Sequence, residues 1–149
     1  MQLRLATEKT EEIVVLAVAS SEPFYRVAWL INQQLGWSLA ESQPICIMNK
    51  KYGSGIQQYC VFSWLDAENG ANYHLVQNRG AQVVQGEQVA LEPAMQTVDY
   101  WLRMENVEDT VAIKRNIKNI REMQMVHEIK PSDLKKNSKI FRIPLYPDE

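Results

Sequence analysis

The chain has 149 residues, of which 46% are hydrophobic, 23% charged and 9% aromatic, and its formal net charge is −2. These proportions are those of an ordinary globular chain and exclude a collagen, a low-complexity chain and a disulfide scaffold. The length predicts a single domain over 1–149, with 143–149 as a loose tail.

Residues 2–5 alternate polar and apolar (Gln2, Leu3, Arg4, Leu5) and suggest a short strand. Residues 13–19, all apolar, form the longest such run, far below the ~18 residues of a membrane helix. The run predicts a strand covered on both faces, hence central in a sheet. Ser20, Ser21, Glu22 and Pro23 then read as a helix start: a serine to cap, an acid at the positive end, and a proline in the first turn. Phe24, Val27, Ala28, Ile31 and Leu35 recur at helical spacing, and Gly36 stops the helix. Tyr25, Trp29 and Trp37 read either as an aromatic ligand shelf or as core and rim packing, with packing as the expectation.

Residues 45–48, 58–65 and 73–77 predict a three-stranded meander. A turn-rich connection (residues 49–55, with Gly53, Ser54 and Gly55) and a second turn ending on Asn69 and Gly70 join its strands. Cys60, Phe62 and Trp64 share one face; Tyr59, Val61 and Leu65 share the other. Residues 79–97 are the least regular stretch, broken by Gly80, Gly86 and Pro93. Residues 98–104 resume as a strand. Asn106 is placed to cap a second helix, with Glu108 and Asp109 in its first turn and Ile113, Ile117 and Ile120 as its buried stripe. Residues 124–129 predict a strand, and 140–143 a last edge strand.

Glu92, Pro93 and Ala94, followed by Val98, Asp99 and Tyr100, resemble the signature of a family of small uncharacterised bacterial proteins. That family is named for an Ile-Pro-Glu-x-x-x-Val-Asp-Tyr motif. The proline and the Val-Asp-Tyr triplet match; Glu92 and Ala94 stand where the family has Ile and Glu. The likeness extends to Tyr25–Trp29 with Leu35 and Gly36, to residues 47–51, and to residues 73–80. It implies a divergent member of similar size, and the family brings no catalytic residues.

Gly53-Ser54-Gly55 joins two strands and is turn chemistry, neither a nucleophile elbow nor a phosphate loop. Cys46, Cys60 and His74 are the sharpest candidates for a metal site or a Cys–His nucleophilic pair, but their spacing matches no known finger, and buried cysteines usually act as small hydrophobes. Asp66, Glu68, Asp99 and Glu105 are the carboxylates available for acid–base work. Asp99 stands out because aspartate is depleted in strands; it is expected to bond a neighbouring loop or to mark a polar site. Tyr59, Trp64, Tyr73, Tyr100 and Trp101 invite comparison with RNA-binding sheets, but lack the basic-Gly-aromatic signature.

Residues 1–111 hold 7 Lys and Arg against 13 Asp and Glu, whereas residues 112–142 hold 9 against 3. A basic final third either faces an acidic partner or is a solvated helix face. Two cysteines and the absence of an export-type leader point to reduced thiols in a cytosol.

The expectation is therefore α+β: a mainly antiparallel sheet of five to seven strands with two principal helices, near 22–35 and 107–122, packed on it. A ferredoxin-like arrangement with extra strands is compatible. The leading function is a non-enzymatic cytoplasmic protein-interaction or scaffold domain that self-associates or binds a protein. Its candidate contacts are Asp99, Tyr100, Trp101, Lys114, Lys118 and Arg121, and no metal, cofactor or membrane is expected. One alternative is nucleic-acid association through residues 114–142. The other is a small-molecule sensor or enzyme using 79–97 as a lid.

Overall fold

The apolar run at the start of the chain becomes β1 (Ile13–Ala19), and it is central as its two greasy faces require. The computed structural model describes residues 12–48, 56–84, 87–134 and 138–145. The expected strand at 2–5 and the connection 49–55 lie outside them. After β1 come α1 (Phe24–Leu35), β2 (Ala40–Met48), β3 (Ile56–Asp66), β4 (Ala71–Gln77), β5 (Arg79–Val84) and β6 (Glu87–Ala90). A short 3-10 turn (Pro93–Met95), β7 (Tyr100–Glu105), α2 (Thr110–Lys118), β8 (Met125–Ile129) and a second 3-10 turn (Pro131–Asp133) complete the order.

Six strands form one antiparallel sheet in the order β2-β3-β4-β7-β1-β8. The fold is therefore α+β with a mainly antiparallel sheet. Within it, β8-β1-β7-β4 together with α1 and α2 have the split β-α-β order of a ferredoxin-like unit, and β2 and β3 extend the sheet beyond β4. Pairing sets the two faces, because residues opposite each other point the same way. Leu16 faces Leu102, which faces Leu75; Val15 faces Arg103, which faces His74. The first face (Leu16, Val18, Tyr73, Leu75, Tyr100, Leu102) is covered by Val27, Ala28 and Ile31 of α1 and Ile113 and Ile117 of α2. The second (Val15, Ala17, Tyr59, Val61, Val76, Trp101) packs with Leu91, Val98, Leu134 and Ile140.

Several expectations are corrected. The described residues of 79–97 are more regular than expected. They form a two-stranded ribbon, β5 with β6, lying against β3, followed by the 3-10 turn. Residues 140–143 are turns rather than an edge strand, and Ile143 and Leu145 pack against the second core, so the start of the expected loose tail is fixed. Val98 and Asp99 precede the strand β7 rather than belonging to it. Both helices are shorter than expected. Pro23 takes the α1 N-cap position without a side-chain cap, while Ser20 Oγ instead accepts the Glu22 N–H. Asp109, not Asn106, caps α2, accepting the Ala112 N–H at 3.0 Å. Asn106 adopts φ 62° one residue past β7, a left-handed conformation that asparagine tolerates better than most residues.

The terminators behave as expected. Gly36 (φ 70°) ends α1 and Gly70 (φ 71°) ends the β3–β4 turn, both in the region where a Cβ is penalised. The outer strand β2 carries Pro44 at a register shift between Ser42 and Ile45, a position where the missing N–H and the irregularity discourage edge-to-edge pairing.

Candidate interaction surface

The apolar stripe of α1 points into the core, so residues 100–200° away on the wheel face outward. Those residues are Tyr25, Arg26, Trp29 and Gln33, all exposed. Tyr25 is 62% exposed and Trp29 50% exposed, so packing does not account for them and the expectation of core or rim use is corrected. Trp37, the third aromatic in that expectation, does pack, 4.0 Å from Tyr73 and 6.1 Å from Trp64 between ring centroids. The Arg26 guanidinium lies 5.0 Å from the Trp29 ring centre, a contact worth about 0.5–1 kcal/mol at an exposed site. Glu22 (3.7 Å) and Glu122 (3.9 Å) also pair with Arg26, and Arg121 reaches Glu122 at 3.9 Å. A continuous strip thus runs from Tyr25 through Trp29 and Arg26 to Arg121. On α2, Val111, Arg115 and Lys118 are exposed and Lys114 is half-buried.

Of the candidate contacts, Arg121 joins this strip through Glu122 and Lys118 is exposed on α2, whereas Asp99, Tyr100 and Trp101 are engaged within the fold. Tyr100 is 7% exposed, stacks on Phe24 and donates its hydroxyl to the Glu22 carbonyl; Trp101 is fully buried. Neither offers a surface to a partner, which corrects that part of the expectation. Asp99 is structural. Its Oδ2 accepts the Ser20 N–H at 2.9 Å and its Oδ1 faces Arg79 at 3.3 Å, joining the end of β1 to the start of β5. Asp99→Ala should therefore lower the melting temperature, by the equivalent of about 1–3 kcal/mol for the orphaned N–H. An unchanged thermal midpoint by circular dichroism would count against this role.

The other chemical candidates separate. Cys46 lies opposite Gln58, not Cys60; both thiols are exposed and on the face opposite His74. Among the described residues, no group of three or more His, Cys, Asp or Glu converges to hold an ion. Asp66 is engaged by Asn69 within its turn, and Glu105 is bound by Arg103 at 2.7 and 3.0 Å. The aromatics that suggested RNA stacking lie under covered faces: Tyr59 and Tyr73 are buried, and Trp64 stacks on Tyr73 at 5.4 Å.

A cleft of about 230 Å³ opens beside the start of α2, lined by Asn69, Tyr73, Asn106, Glu108, Asp109 and Ile113 among others. It falls below the ~300–1,000 Å³ of typical small-molecule sites, so the exposed strip is the stronger functional feature.

Three buried polar groups had escaped sequence reasoning. Asn78 binds four partners. Glu92 and Arg103 hold the C-terminal residues. The one available signal was Arg103, a charge between Leu102 and Met104 in an otherwise apolar strand. His74 is fully buried, with Nδ1 2.8 Å from Ser63 Oγ, which is itself 2.9 Å from Ser42 Oγ. Burial, opposed by Glu105 and reinforced by Arg103, lowers the His74 pKa to about 4.

No family model matches the chain, and no curated protein or solved structure is similar to it. No helix among the described residues is long and apolar enough to cross a membrane.

Proposed function

We propose that the protein is a non-enzymatic protein-binding module, working in a reducing cytosol, that docks an acidic segment of a protein partner on the outer face of α1. The reading rests on the solvent-facing trio Tyr25, Arg26 and Trp29 on one helix face. Tyr, Trp and Arg are the residue types that carry most binding energy in interfaces. Arg121 at the flank supplies positive charge to meet the acidic segment. A protein fits better than a nucleic acid, because Arg26 already covers the Trp29 ring and so occupies the aromatic face on which a base would stack. The chain is also read as a divergent member of the Ile-Pro-Glu-x-x-x-Val-Asp-Tyr family; buried Val98 and Tyr100 and the hydrogen-bonded Asp99 give its triplet an architectural role consistent with that reading.

Tyr25→Ala/Trp29→Ala tests it. Both side chains are exposed, so stability should fall by no more than about 1 kcal/mol at each site, the loss at Trp29 being its contact with Arg26. Partner binding, measured by capture and by sedimentation, should fall more than about tenfold and weaken with salt. A double variant that keeps its partner, or a parent that stays monomeric and binds nothing, would overturn the proposal.

A further inference from the structure

The C-terminal residues 138–145 cover the second face of the sheet without joining it: among the described residues they pair with no strand. Two buried charges hold them by the main chain. Glu92, 4% exposed, accepts on one carboxylate oxygen the N–H groups of Lys139 and Ile140 (2.6 Å each) and the Ser138 hydroxyl (3.2 Å). Arg103, 6% exposed, donates through Nη1 to the carbonyls of Ile140 (3.3 Å) and Ile143, while its Nε and Nη2 are committed to Glu105. Between them the Ile140 side chain is fully buried in the cluster that contains Val15, Trp101, Ile129 and Leu134. Phe141, Ile143 and Leu145 pack only partly.

An anion reading N–H groups, a cation reading carbonyls and one apolar socket make up a receptor for a short peptide. Its polar clamps also bear on reversibility. A purely greasy plug would expose only apolar surface on leaving, whereas Glu92 and Arg103 regain hydration when the segment departs. We infer that residues 138–145 are the exchangeable occupant of a peptide-binding groove, and that the same segment of a second copy of this chain enters it in trans. The groove lies on the opposite side of the sheet from α1, so this inference stands independently of the surface proposed above.

The test uses the full chain and a fluorescent peptide of residues 138–145. Ile140→Ala in the chain loosens its own segment and leaves the groove intact. That variant should bind the peptide at least about tenfold more tightly than the parent, by anisotropy. Adding Glu92→Gln to it, or replacing the peptide's Ile140 by Asp, should remove most of the gain. A folded Ile140→Ala chain that binds no peptide at millimolar concentration overturns the inference. Should that variant fail to fold, hydrogen exchange on the parent decides. Exchange at Lys139 and Ile140 well ahead of β1 and β7 supports an exchangeable segment, and exchange only with global unfolding overturns it.

Discussion

Asn78→Ala is expected to lower stability by about 3–5 kcal/mol, a large share of the roughly 5–15 kcal/mol that holds a domain together. Asn78 is fully buried where the chain leaves β4 for the ribbon. Its amide nitrogen donates to the carbonyls of Met95 (3.1 Å) and Val98 (2.7 Å), and its oxygen accepts the Glu92 N–H (3.1 Å) and the Trp101 indole N–H (2.8 Å). Its main chain adds bonds to Asp99 and Leu91. Alanine keeps those main-chain bonds, and the Met95 carbonyl keeps the Val98 N–H, but the Val98 carbonyl, the Glu92 N–H and the Trp101 indole N–H are stranded in a dry interior, and each carries a desolvation penalty. Asn78→Asp has the same shape and retains the acceptor, yet aims an oxygen at two carbonyls; it should destabilise at least as much. Urea denaturation reads both variants. A loss below about 1 kcal/mol for alanine would show that the loop from Leu91 to Asp99 holds itself without this hub.

Stability should also fall as pH drops from 7 towards 4, with His74 as the main contributor above the carboxylate range. The unfolded histidine titrates near 6.5, whereas burial and the Arg103 charge hold the folded ring to about 4 against the opposing pull of Glu105. Between those values the unfolded state takes up a proton that the native state refuses, so each step down in pH favours unfolding. The contribution is absent above the unfolded pKa, reaches about 2 kcal/mol near pH 5 and about 3 kcal/mol near pH 4. His74→Gln should flatten the decline between pH 6.5 and 5, whatever its effect at neutral pH. Chevron or equilibrium urea curves at pH 7, 6 and 5 measure it, and an unaltered slope in the variant would remove His74 from the explanation.

Legibility varied from element to element. The doubly apolar run 13–19 announced a central strand, and the structure seats it between β7 and β8. The stripe Val27, Ala28 and Ile31 announced the buried side of α1, and the turn at Asn69 and Gly70 fell where expected. Tyr25 and Tyr100, by contrast, are chemically identical and yet opposite in use: one lies off the helical stripe and faces water, the other is stacked on Phe24. The ribbon β5–β6 escaped notice because its strands are short and lie beside glycine and proline, the usual marks of a loop. Glu92 and Arg103 escaped because a charged side chain is read as exposed unless its partners are known, and their partners sit 48 and 37 residues away at Ile140.

By itself the sequence determined what depends on neighbours within a turn of chain: the two helical stripes, the central strand, the glycine stops and the α+β class. Those patterns follow from periods of 2 and 3.6 residues and need no knowledge of the rest of the molecule. The tertiary structure alone decided which strands pair, which aromatics face water, and that buried Glu92 and Arg103 grip the C-terminal main chain. Such outcomes depend on contacts between distant residues, whose geometry exists only once the whole sheet has closed around them.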